Sequence, residues 1–411
     1  MILARGPGLG EAHLGYCTNI HAGESWDEVF ANVDTHVRAV RALTAPDANV
    51  SFGIGLRLSA AAARQLATPD TLAAFRDYLR ANAMYVFTIN GFPHGAFSGV
   101  AGVVKERVYR PDWLEDERLS YTDQLAGILA ALLPPEQAGL EGSVSTVPGC
   151  FEERGSTGEA GPRVADRLLA HAATLWRLAE STGRVITLAL EPEPHCMLET
   201  TADAVSFFEG HVFARRALDA FAQATGLSSS AAEQVLRRHL GVCLDACHAA
   251  VQFETPDGAI SRLVAAGLRI LKVQVSAGLR VAPPDAAARA ALAPFAEGVY
   301  LHQVVAKSGA HLRRYLDLPQ ALADAARAEG AAGDEWRIHF HVPVFREKLG
   351  PFENTQAFLA PLLRRLGRED LCRHLEVETY TWDVLPQEHR REPVVNAIAR
   401  ELQWTRAQLA L

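Results

Sequence analysis

Three closely spaced pairs of acidic or histidine residues follow short apolar stretches of the sequence, and residues of these types bind divalent metals and transfer protons. The pairs are Glu191 and Glu193, His339 and His341, and Glu376 and Glu378. Residues two positions apart on a β-strand face the same way. If these faces point inward, the side chains converge with Asp245 on a small volume, and the mutual repulsion of the carboxylates favours a bound divalent cation.

Each of these elements also has an ordinary structural explanation. The acidic pairs could bond to neighbouring loops or belong to an edge strand, the histidine pair could be hydrogen-bonded in the core, and Asp245 could cap the helix that follows it. The functional interpretation rests on their joint occurrence, because they all lie at the C-terminal ends of predicted strands and not in the middle of them.

Short apolar or β-branched runs recur along the chain, and longer stretches with helical spacing, such as Val164–Ser181, separate them. This alternation predicts an α/β protein, a (β/α)8 TIM barrel with helical and loop insertions. Active sites of such barrels form at the C-terminal ends of the strands. The strand candidates are His13–Ile20, Phe52–Leu58, Met84–Asn90, Gly142–Val147, Val185–Glu191, Gly241–Asp245, Ile270–Val275, Trp336–Val342 and His374–Tyr380.

Nine candidates are one too many for an eight-stranded barrel. Either one strand is peripheral, or the stretch Arg280–Ala331 holds an insertion that disturbs the strand count. No repeat or polar linker suggests a second domain, so we expect residues 1–411 to form a single domain with insertions at about 91–116, 201–238 and 280–331.

The composition excludes several classes of protein. The chain has 411 residues, of which 49% are hydrophobic and 21% charged, so it can bury a large core. A net charge of −8 gives no broad attraction for nucleic acid. No apolar run approaches the roughly 20 residues that span a bilayer, and the N-terminal residues lack a signal-peptide pattern, so we expect a cytoplasmic protein without membrane insertion. The six cysteines form no C-x-x-C pair and are interpreted as small apolar core residues with free thiols, with a cysteine metal ligand as the alternative.

At the polar strand ends the sequence resembles the xylose isomerase-like superfamily of TIM barrels, which includes sugar isomerases, sugar epimerases and the endonuclease IV group. In those proteins a Glu ends the fifth strand, an Asp followed three residues later by His ends the sixth, a His or other ligand comes from the seventh and a Glu or Asp from the eighth. Glu191, the run Asp245-Ala246-Cys247-His248 and Glu378 match that order. The seventh strand departs from it, because Gln274 stands where His is usual; we favour His341 as the ligand, since imidazole binds transition metals more strongly than an amide does.

A closer likeness is to the EboE-type proteins, called metabolite traffic proteins. The strings that resemble that family are His13-Leu14-Gly15-Tyr16-Cys17-Thr18-Asn19-Ile20-His21, Thr88-Ile89-Asn90-Gly91-Phe92-Pro93, Glu191-Pro192-Glu193-Pro194, His339-Phe340-His341-Val342-Pro343 and Glu378-Thr379-Tyr380-Thr381-Trp382. The family name describes a genetic context of biosynthesis or export, which implies partner proteins of the same pathway but names no reaction.

The resemblance implies a metal-dependent isomerase or epimerase that acts on a sugar, a sugar phosphate or a cyclitol-like polyol. It predicts a divalent metal (Zn, Mn, Co or Mg) held by Glu191, Asp245, Glu378 and either Gln274 or His341, with Glu191 and Glu378 moving the proton. Residues predicted to contact the substrate are His21, Asn90, His94, Glu193, His248, His339 and Trp382, with Phe92 as a stacking ring and Lys272 as a phosphate contact.

Two other functions compete with this prediction. One is a metal-dependent phosphoesterase of the endonuclease IV type, which needs more histidine ligands, for which His21, His94 and His302 are candidates. The other is a non-catalytic protein that binds and presents a metabolite. The acidic balance of the chain disfavours DNA as a substrate, and the number of acidic residues disfavours simple capture of a neutral ligand.

Overall fold

A computed structural model describes residues 1–5, 9–47, 49–97, 105–137, 139–327 and 333–410 of the chain. Two sheets and a surrounding layer of helices make up this part. The strands are β1 (Ile2–Leu3), β2 (Ala12–Tyr16), β3 (Phe52–Arg57), β4 (Met84–Asn90), β5 (Gly142–Thr146), β6 (Ile186–Leu190), β7 (Leu240–Asp245), β8 (Ile270–Val275), β9 (Leu279–Val281), β10 (Val304–Ser308), β11 (His311–Tyr315), β12 (Glu335–Ile338), β13 (Lys348–Leu349), β14 (Phe352–Asn354) and β15 (His374–Val377).

The first sheet is the predicted (β/α)8 barrel. Strands β2 to β8 and β15 are parallel and neighbour one another in the order β2-β15-β8-β7-β6-β5-β4-β3. A parallel bridge between Cys17, just after β2, and Gly55 of β3 joins the two ends of this order. The short β1 adds an antiparallel edge to β2. The predicted fold class is therefore confirmed.

The second sheet explains the ninth strand candidate. Its strands are antiparallel in the order β11-β10-β12-β9-β14-β13, and the chain builds this sheet between β8 and β15. The candidate Trp336–Val342 corresponds to β12, which ends at Ile338 and pairs with β9 and β10. The peripheral strand is thus β12, and His339 and His341 lie in the loop that follows it.

Helices cover the outside of the barrel, and their apolar faces pack on the strands. The helices are α1 (Trp26–Asn32), α2 (Arg38–Thr44), α3 (Ala60–Leu66), α4 (Pro69–Ala81), α5 (Asp116–Leu132), α6 (Glu152–Gly155), α7 (Ala160–Thr182), α8 (Thr201–Phe207), α9 (Arg215–Thr225), α10 (Ser229–His239), α11 (Ala246–Val251), α12 (Pro256–Ala265), α13 (Ala286–Ala291), α14 (Leu318–Arg327), α15 (Gln356–Arg368) and α16 (Val394–Leu409). The predicted periodic stretch lies in α7, where Val164, Leu168, Ala172 and Leu175 are fully buried. Of the helices in the described part of the chain, none has the length and apolar character needed to span a membrane.

The three predicted insertions take different forms. Residues 91–116 form a loop with a short 3-10 turn at Lys105–Tyr109, and their positions 98–104 lie outside the described residues. Residues 201–238 carry α8, α9 and most of α10. Residues 280–331 contribute to the second sheet and hold α13 and α14, with positions 328–331 outside the described residues.

Candidate metal centre

Four predicted metal ligands come to the C-terminal end of the barrel from different chain segments. Glu191 directly follows β6, Asp245 is the last residue of β7, and Glu378 directly follows β15. His341 reaches the same place from the loop after β12. All four side chains are at least 95% buried. We call these four residues the metal cluster.

Three ligand atoms of the metal cluster lack hydrogen-bond partners among the described residues. They are Glu191 Oε2, Asp245 Oδ2 and His341 Nε2, and each is buried. The His341 Nε2 and Asp245 Oδ2 atoms are 3.9 Å apart. Burying polar atoms without partners is costly. Two carboxylate oxygens and one imidazole nitrogen are a donor set that a divalent metal accepts, and Asp245 offers ligand atoms within 4.8 Å of those of His341 and, in a second group, of Glu191. The chemistry of these atoms therefore fits such an ion.

Hydrogen bonds on the far side of each ligand fix its orientation. Asp245 caps α11: its Oδ1 atom accepts from the His248 backbone N–H at 2.9 Å and from the Ser276 hydroxyl at 2.8 Å. His341 donates from Nδ1 to the backbone carbonyl of Glu378 at 2.9 Å. Since a carbonyl can only accept, Nδ1 carries the proton and Nε2 keeps its lone pair. Asp245 is thus a helix cap and can still offer its second oxygen to a metal.

Gln274 and His341 are the two candidates for the remaining metal ligand, and the hydrogen bonds of Gln274 distinguish them. Gln274 is fully buried on β8, and its Oε1 atom accepts from the Cys243 thiol at 3.4 Å. Its unpartnered atom within the described chain is Nε2, an amide donor that cannot bind a cation. The free lone pair next to Asp245 therefore belongs to His341.

Glu378 is held by two amides. Its Oε1 atom accepts from Asn19 Nδ2 at 2.7 Å and from Asn90 Nδ2 at 2.9 Å. Its Oε2 atom lies 4.0 Å from His341 Nδ1. Asn90 was predicted to contact the substrate, whereas Asn19 was not singled out, although it stands two residues before the predicted His21. The two amides leave Oε2 as the less constrained oxygen of Glu378.

Burial and like charges shift the titration of the metal cluster. Burial and the neighbouring carboxylates of Glu378 and Asp245 raise the pKa of Glu191 well above its usual value. Burial, Asp245 and Glu376 raise the pKa of Glu378 in the same way. Burial lowers the pKa of His341 to about 4, so its imidazole is neutral at pH 7. A bound divalent cation would relieve this repulsion and favour the ionised carboxylates.

A second group of close polar contacts lies beside the metal cluster. His248 Nδ1 donates to the Pro192 carbonyl at 3.0 Å, and its Nε2 atom is 3.0 Å from His339 Nε2. The His339 Nδ1 atom bonds to Gln303 Oε1 at 2.8 Å. The Gln303 amide donates to the Tyr109 hydroxyl at 2.9 Å, and this hydroxyl donates to Glu193 Oε1 at 2.7 Å. Three predicted contact residues, Glu193, His248 and His339, are thereby tied together through two residues that the sequence did not point to.

The barrel interior below the metal cluster holds a buried ion pair. Lys272 Nζ lies 2.6 Å from Glu376 Oε2 and 3.1 Å from the Ser145 hydroxyl, and both charged side chains are fully buried. Lys272 is therefore not available for the predicted contact with a substrate phosphate. Gly55 leaves the space for Glu376, because a Cβ atom at position 55 would lie 1.8 Å from Glu376 Oε1.

A pocket above the metal cluster opens between the loops and leaves about 510 Å³ of empty space, part of it open to solvent. The described residues that line it are Asn19, Asn90, Phe92, Pro93, Phe97, Lys105, Val108, Tyr109, Glu191, Glu193, His248, Tyr300, Leu301, His339, Glu378 and Tyr380. Asp245 and His341 lie below this lining. Phe97, Tyr109 and Tyr300 were missed by the sequence analysis, because they come from insertions without a periodic pattern, and Tyr380 was missed although it ends the strand candidate His374–Tyr380.

Three predicted contact residues are not part of the pocket lining. His21 stacks on His36, with ring centroids 4.4 Å apart, and its Nε2 atom bonds to the Tyr16 hydroxyl. His94 Nε2 lies 3.7 Å from Glu117 Oε1. Trp382 is buried in the hydrophobic core, so its neighbour Tyr380 faces the pocket instead.

The additional histidines that a site of the endonuclease IV type would need also lie apart from the metal cluster. Within the described residues, the groups of His, Cys, Asp and Glu ligand atoms that come within 4.8 Å of one another include Glu191–Asp245–His248, Asp245–Cys247–His341 and His248–His339–His341. None of these described groups contains His21, His94 or His302. His302 instead stacks on Phe340, with ring centroids 4.8 Å apart.

Several solved structures match nearly the whole length of the chain. A xylose isomerase-like TIM-barrel protein from Mycobacterium smegmatis, solved in complex with magnesium, matches with a TM-score of 0.50 and 12% identity over 97% of each chain. The IolI protein with a bound zinc atom matches with a TM-score of 0.46 and 10% identity, over 97% of this chain and 98% of that chain. The 3-keto-D-glucoside 4-epimerase YcjR from E. coli matches with a TM-score of 0.41 and 13% identity, over 96% and 99%. No profile of a known protein family and no curated protein sequence matches.

The chain therefore has the fold of the xylose isomerase-like TIM barrels. This fold supports several chemistries, and the function has to be argued from the site.

Proposed function

We propose that this protein is a metal-dependent isomerase or epimerase of a sugar or cyclitol-like polyol. The observation that carries the proposal is the set of three buried ligand atoms, Glu191 Oε2, Asp245 Oδ2 and His341 Nε2, which find no hydrogen-bond partner in the described part of the chain. Unsatisfied ligand atoms at the C-terminal end of a barrel are best explained by a cation that binds there.

Glu191, Asp245, His341 and Glu378 would hold the ion. When bound, a divalent metal polarises oxygen atoms of the substrate and acidifies the adjacent C–H or O–H bond. Glu191 and Glu378 both line the pocket. Glu191 follows β6, the fifth strand of the barrel, and Glu378 follows β15, the eighth, so they approach a bound molecule from different sides. The two amides donate to Glu378 Oε1 and leave Oε2 free of them. The Oε2 atom would take or return the substrate proton.

The charges around the pocket favour a neutral substrate over a sugar phosphate. The floor holds three acidic residues, Glu191, Glu193 and Glu378. Among the described lining residues, the side chain that carries a permanent positive charge is Lys105. Its Nζ atom forms an ion pair with Asp317 Oδ2 at 2.6 Å. A phosphate group would meet these acids, and the described lining offers no unpaired side-chain cation to bind it.

The finer resemblance to the EboE-type metabolite traffic proteins rests on the sequence strings alone. If it holds, the reaction belongs to a pathway of biosynthesis or export, and the protein meets partners of that pathway. A phosphoesterase of the endonuclease IV type finds less support, because His21, His94 and His302 lie apart from the metal cluster.

Metal-dependent hydrogen exchange tests the proposal across many candidate substrates at once. The protein, treated with chelator and then loaded with Mn²⁺, Co²⁺, Zn²⁺ or Mg²⁺, would be incubated in D2O with a panel of ketoses, aldoses, methyl and phenyl glycosides and inositols, and followed by NMR. We expect at least one compound to be converted to an isomer, or to exchange a carbon-bound hydrogen, only when metal is present. Absence of both across the panel in the metal-loaded protein would contradict the proposed activity.

A further inference from the structure

The pocket at the barrel mouth has two chemically different sides. Its floor consists of acids, amides and histidines: Asn19, Asn90, Glu191, Glu193, His248, His339 and Glu378. Its other side is apolar or aromatic, and we call it the aromatic wall: Phe92, Pro93, Phe97, Val108, Tyr109, Tyr300, Leu301 and Tyr380. The wall comes largely from the segments 91–116 and 280–331, the insertions that the barrel itself does not need.

Three rings from three separate loops form the centre of the aromatic wall. The ring centroids of Phe97 and Tyr300 are 5.5 Å apart, those of Phe97 and Tyr380 are 5.2 Å apart, and those of Tyr300 and Tyr380 are 5.2 Å apart. These separations are typical of favourable aromatic pairs. The rings therefore support one another and present a preformed apolar surface to the pocket.

The tyrosine hydroxyls of the aromatic wall are already hydrogen-bonded. Tyr109 donates to Glu193 Oε1 at 2.7 Å, Tyr300 donates to the Phe97 carbonyl at 3.0 Å, and the Tyr380 hydroxyl lies 3.4 Å from His339 Nε2. What these residues offer a ligand is ring surface. A molecule that is polar on every side would bury hydroxyl groups against this surface without partners, which is costly.

We infer that the substrate is a glycoside of an aromatic alcohol, with its sugar over the polar floor and its aryl ring against the aromatic wall. This inference rests on the proposed function, because it extends the ligand of that same site. A free sugar would satisfy the floor and cover only part of the wall.

Matched pairs of ligands test the inference. The methyl and phenyl β-glycosides of glucose, galactose, mannose and xylose would be titrated calorimetrically into the protein, both metal-loaded and after chelator treatment. We expect the phenyl glycoside of at least one sugar to bind roughly tenfold more tightly than its methyl partner, because the ring gains stacking and apolar burial. The preference for phenyl should persist without metal, since the wall contains no metal ligand.

Two variants of Tyr300 tie the preference to the aromatic wall. Tyr300→Leu removes the ring, and the phenyl-to-methyl affinity ratio should fall towards one. Tyr300→Phe keeps the ring and should keep the ratio. A change that only loosened the loop would weaken both glycosides alike and leave the ratio unchanged.

Failure of this inference is separable from failure of the proposed function. Equal affinity within every pair, no binding of any phenyl glycoside, or a ratio that survives Tyr300→Leu would overturn the aryl glycoside assignment. Absence of bound metal or of metal-dependent exchange, with the phenyl preference intact, would instead overturn the proposed reaction and leave the ligand class standing.

Discussion

His341 Nε2 lies 3.9 Å from Asp245 Oδ2, and neither atom has a hydrogen-bond partner within the described residues. Asp245 ends β7 of the barrel sheet, whereas His341 lies in the loop that follows β12 of the inserted sheet. Their separation is one that two ligands of a single ion can have, each about 2.0–2.2 Å from it. The inserted sheet thus brings to the barrel mouth the imidazole that Gln274 of β8 does not provide.

Replacing His341 should weaken metal binding far more than replacing Gln274. His341→Ala removes the nitrogen that faces Asp245, and we expect metal affinity to fall by about a hundredfold or more, beyond the 10–100-fold typical of outer-shell changes. Gln274→Ala removes an amide whose oxygen bonds to Cys243, so its effect should stay within about tenfold. Competition with a fluorescent chelator measures both. A larger loss in Gln274→Ala than in His341→Ala would assign the ligand to Gln274.

Glu378→Gln should abolish turnover while preserving the fold. The amide can still accept hydrogen bonds from Asn19 and Asn90 through its oxygen, but it cannot take a proton at the other atom. Loss of a positioned acid or base lowers kcat by about 10²–10⁴. The rate is measured on the compound that shows metal-dependent exchange, and circular dichroism checks the fold. Turnover at the wild-type rate would show that Glu378 does not transfer the proton.

Gly55→Ala should destabilise the barrel, whereas Gly127→Ala should not. A Cβ atom at position 55 would collide with Glu376, which is pinned by Lys272 in the fully buried interior. Overpacking of this kind costs about 1–3 kcal/mol or more. Gly127 is exposed within α5, and a Cβ atom there would have no neighbour among the described residues within 4 Å, so alanine should stabilise by about 0.5–1 kcal/mol. Urea denaturation compares the two, and equal free energies of unfolding would contradict the packing around Glu376.

Because of Glu401, the free energy of unfolding should decrease as the pH rises towards neutral. Its carboxylate on α16 accepts from the Val344 N–H at 3.1 Å and the Thr379 hydroxyl at 2.7 Å, which joins the loops that carry His341 and Glu378. Burial raises its pKa to about 7 from 4.5. The folded protein thus favours the protonated form, and this contribution is full below about pH 4.5 and is lost as pH rises through about 7. The loss is at most about 3 kcal/mol.

Glu401→Gln isolates this pH dependence. Both hydrogen bonds go to one oxygen, which glutamine retains, so the fold should persist while this part of the pH slope disappears. Chemical denaturation between pH 5 and 8 measures the slope, and Glu153→Gln at an exposed position serves as the control. If wild type and Glu401→Gln lost stability in parallel over this range, the buried carboxylate would not be the cause.

The sequence predicted the barrel better than it predicted the side-chain directions at its mouth. Continuous apolar runs indicate buried parallel strands, and polar residues at their ends pointed to the position of Asp245. The rule that residues two positions apart face the same way no longer applies where a strand ends. Strand β2 ends at Tyr16, and a 3-10 turn follows at Thr18–Ile20. This turn brings Asn19 to Glu378, whereas His21 points away and stacks on His36.

The local sequence pattern also could not show which of the two sheets a predicted strand joins. In β12 the buried Trp336 and Ile338 alternate with the half-buried Glu335 and Arg337, which indicates a strand but not the sheet that it joins. Only its pairing with β9 and β10, distant in sequence, places it in the second sheet. Gln303 and Tyr109 were missed for a related reason, because they lie in insertions where no periodicity indicates which residues face the pocket.

The metal content of the protein purified without chelator tests the metal centre most directly. Elemental analysis would be made on the wild type and on Asp245→Asn, a variant that keeps an oxygen to cap α11 but removes the charge beside His341. We predict about one bound Zn, Mn, Co or Mg ion per wild-type chain and a large loss in Asp245→Asn. A wild-type protein that holds no metal, and takes up none when each ion is supplied, would contradict the assignment of this site.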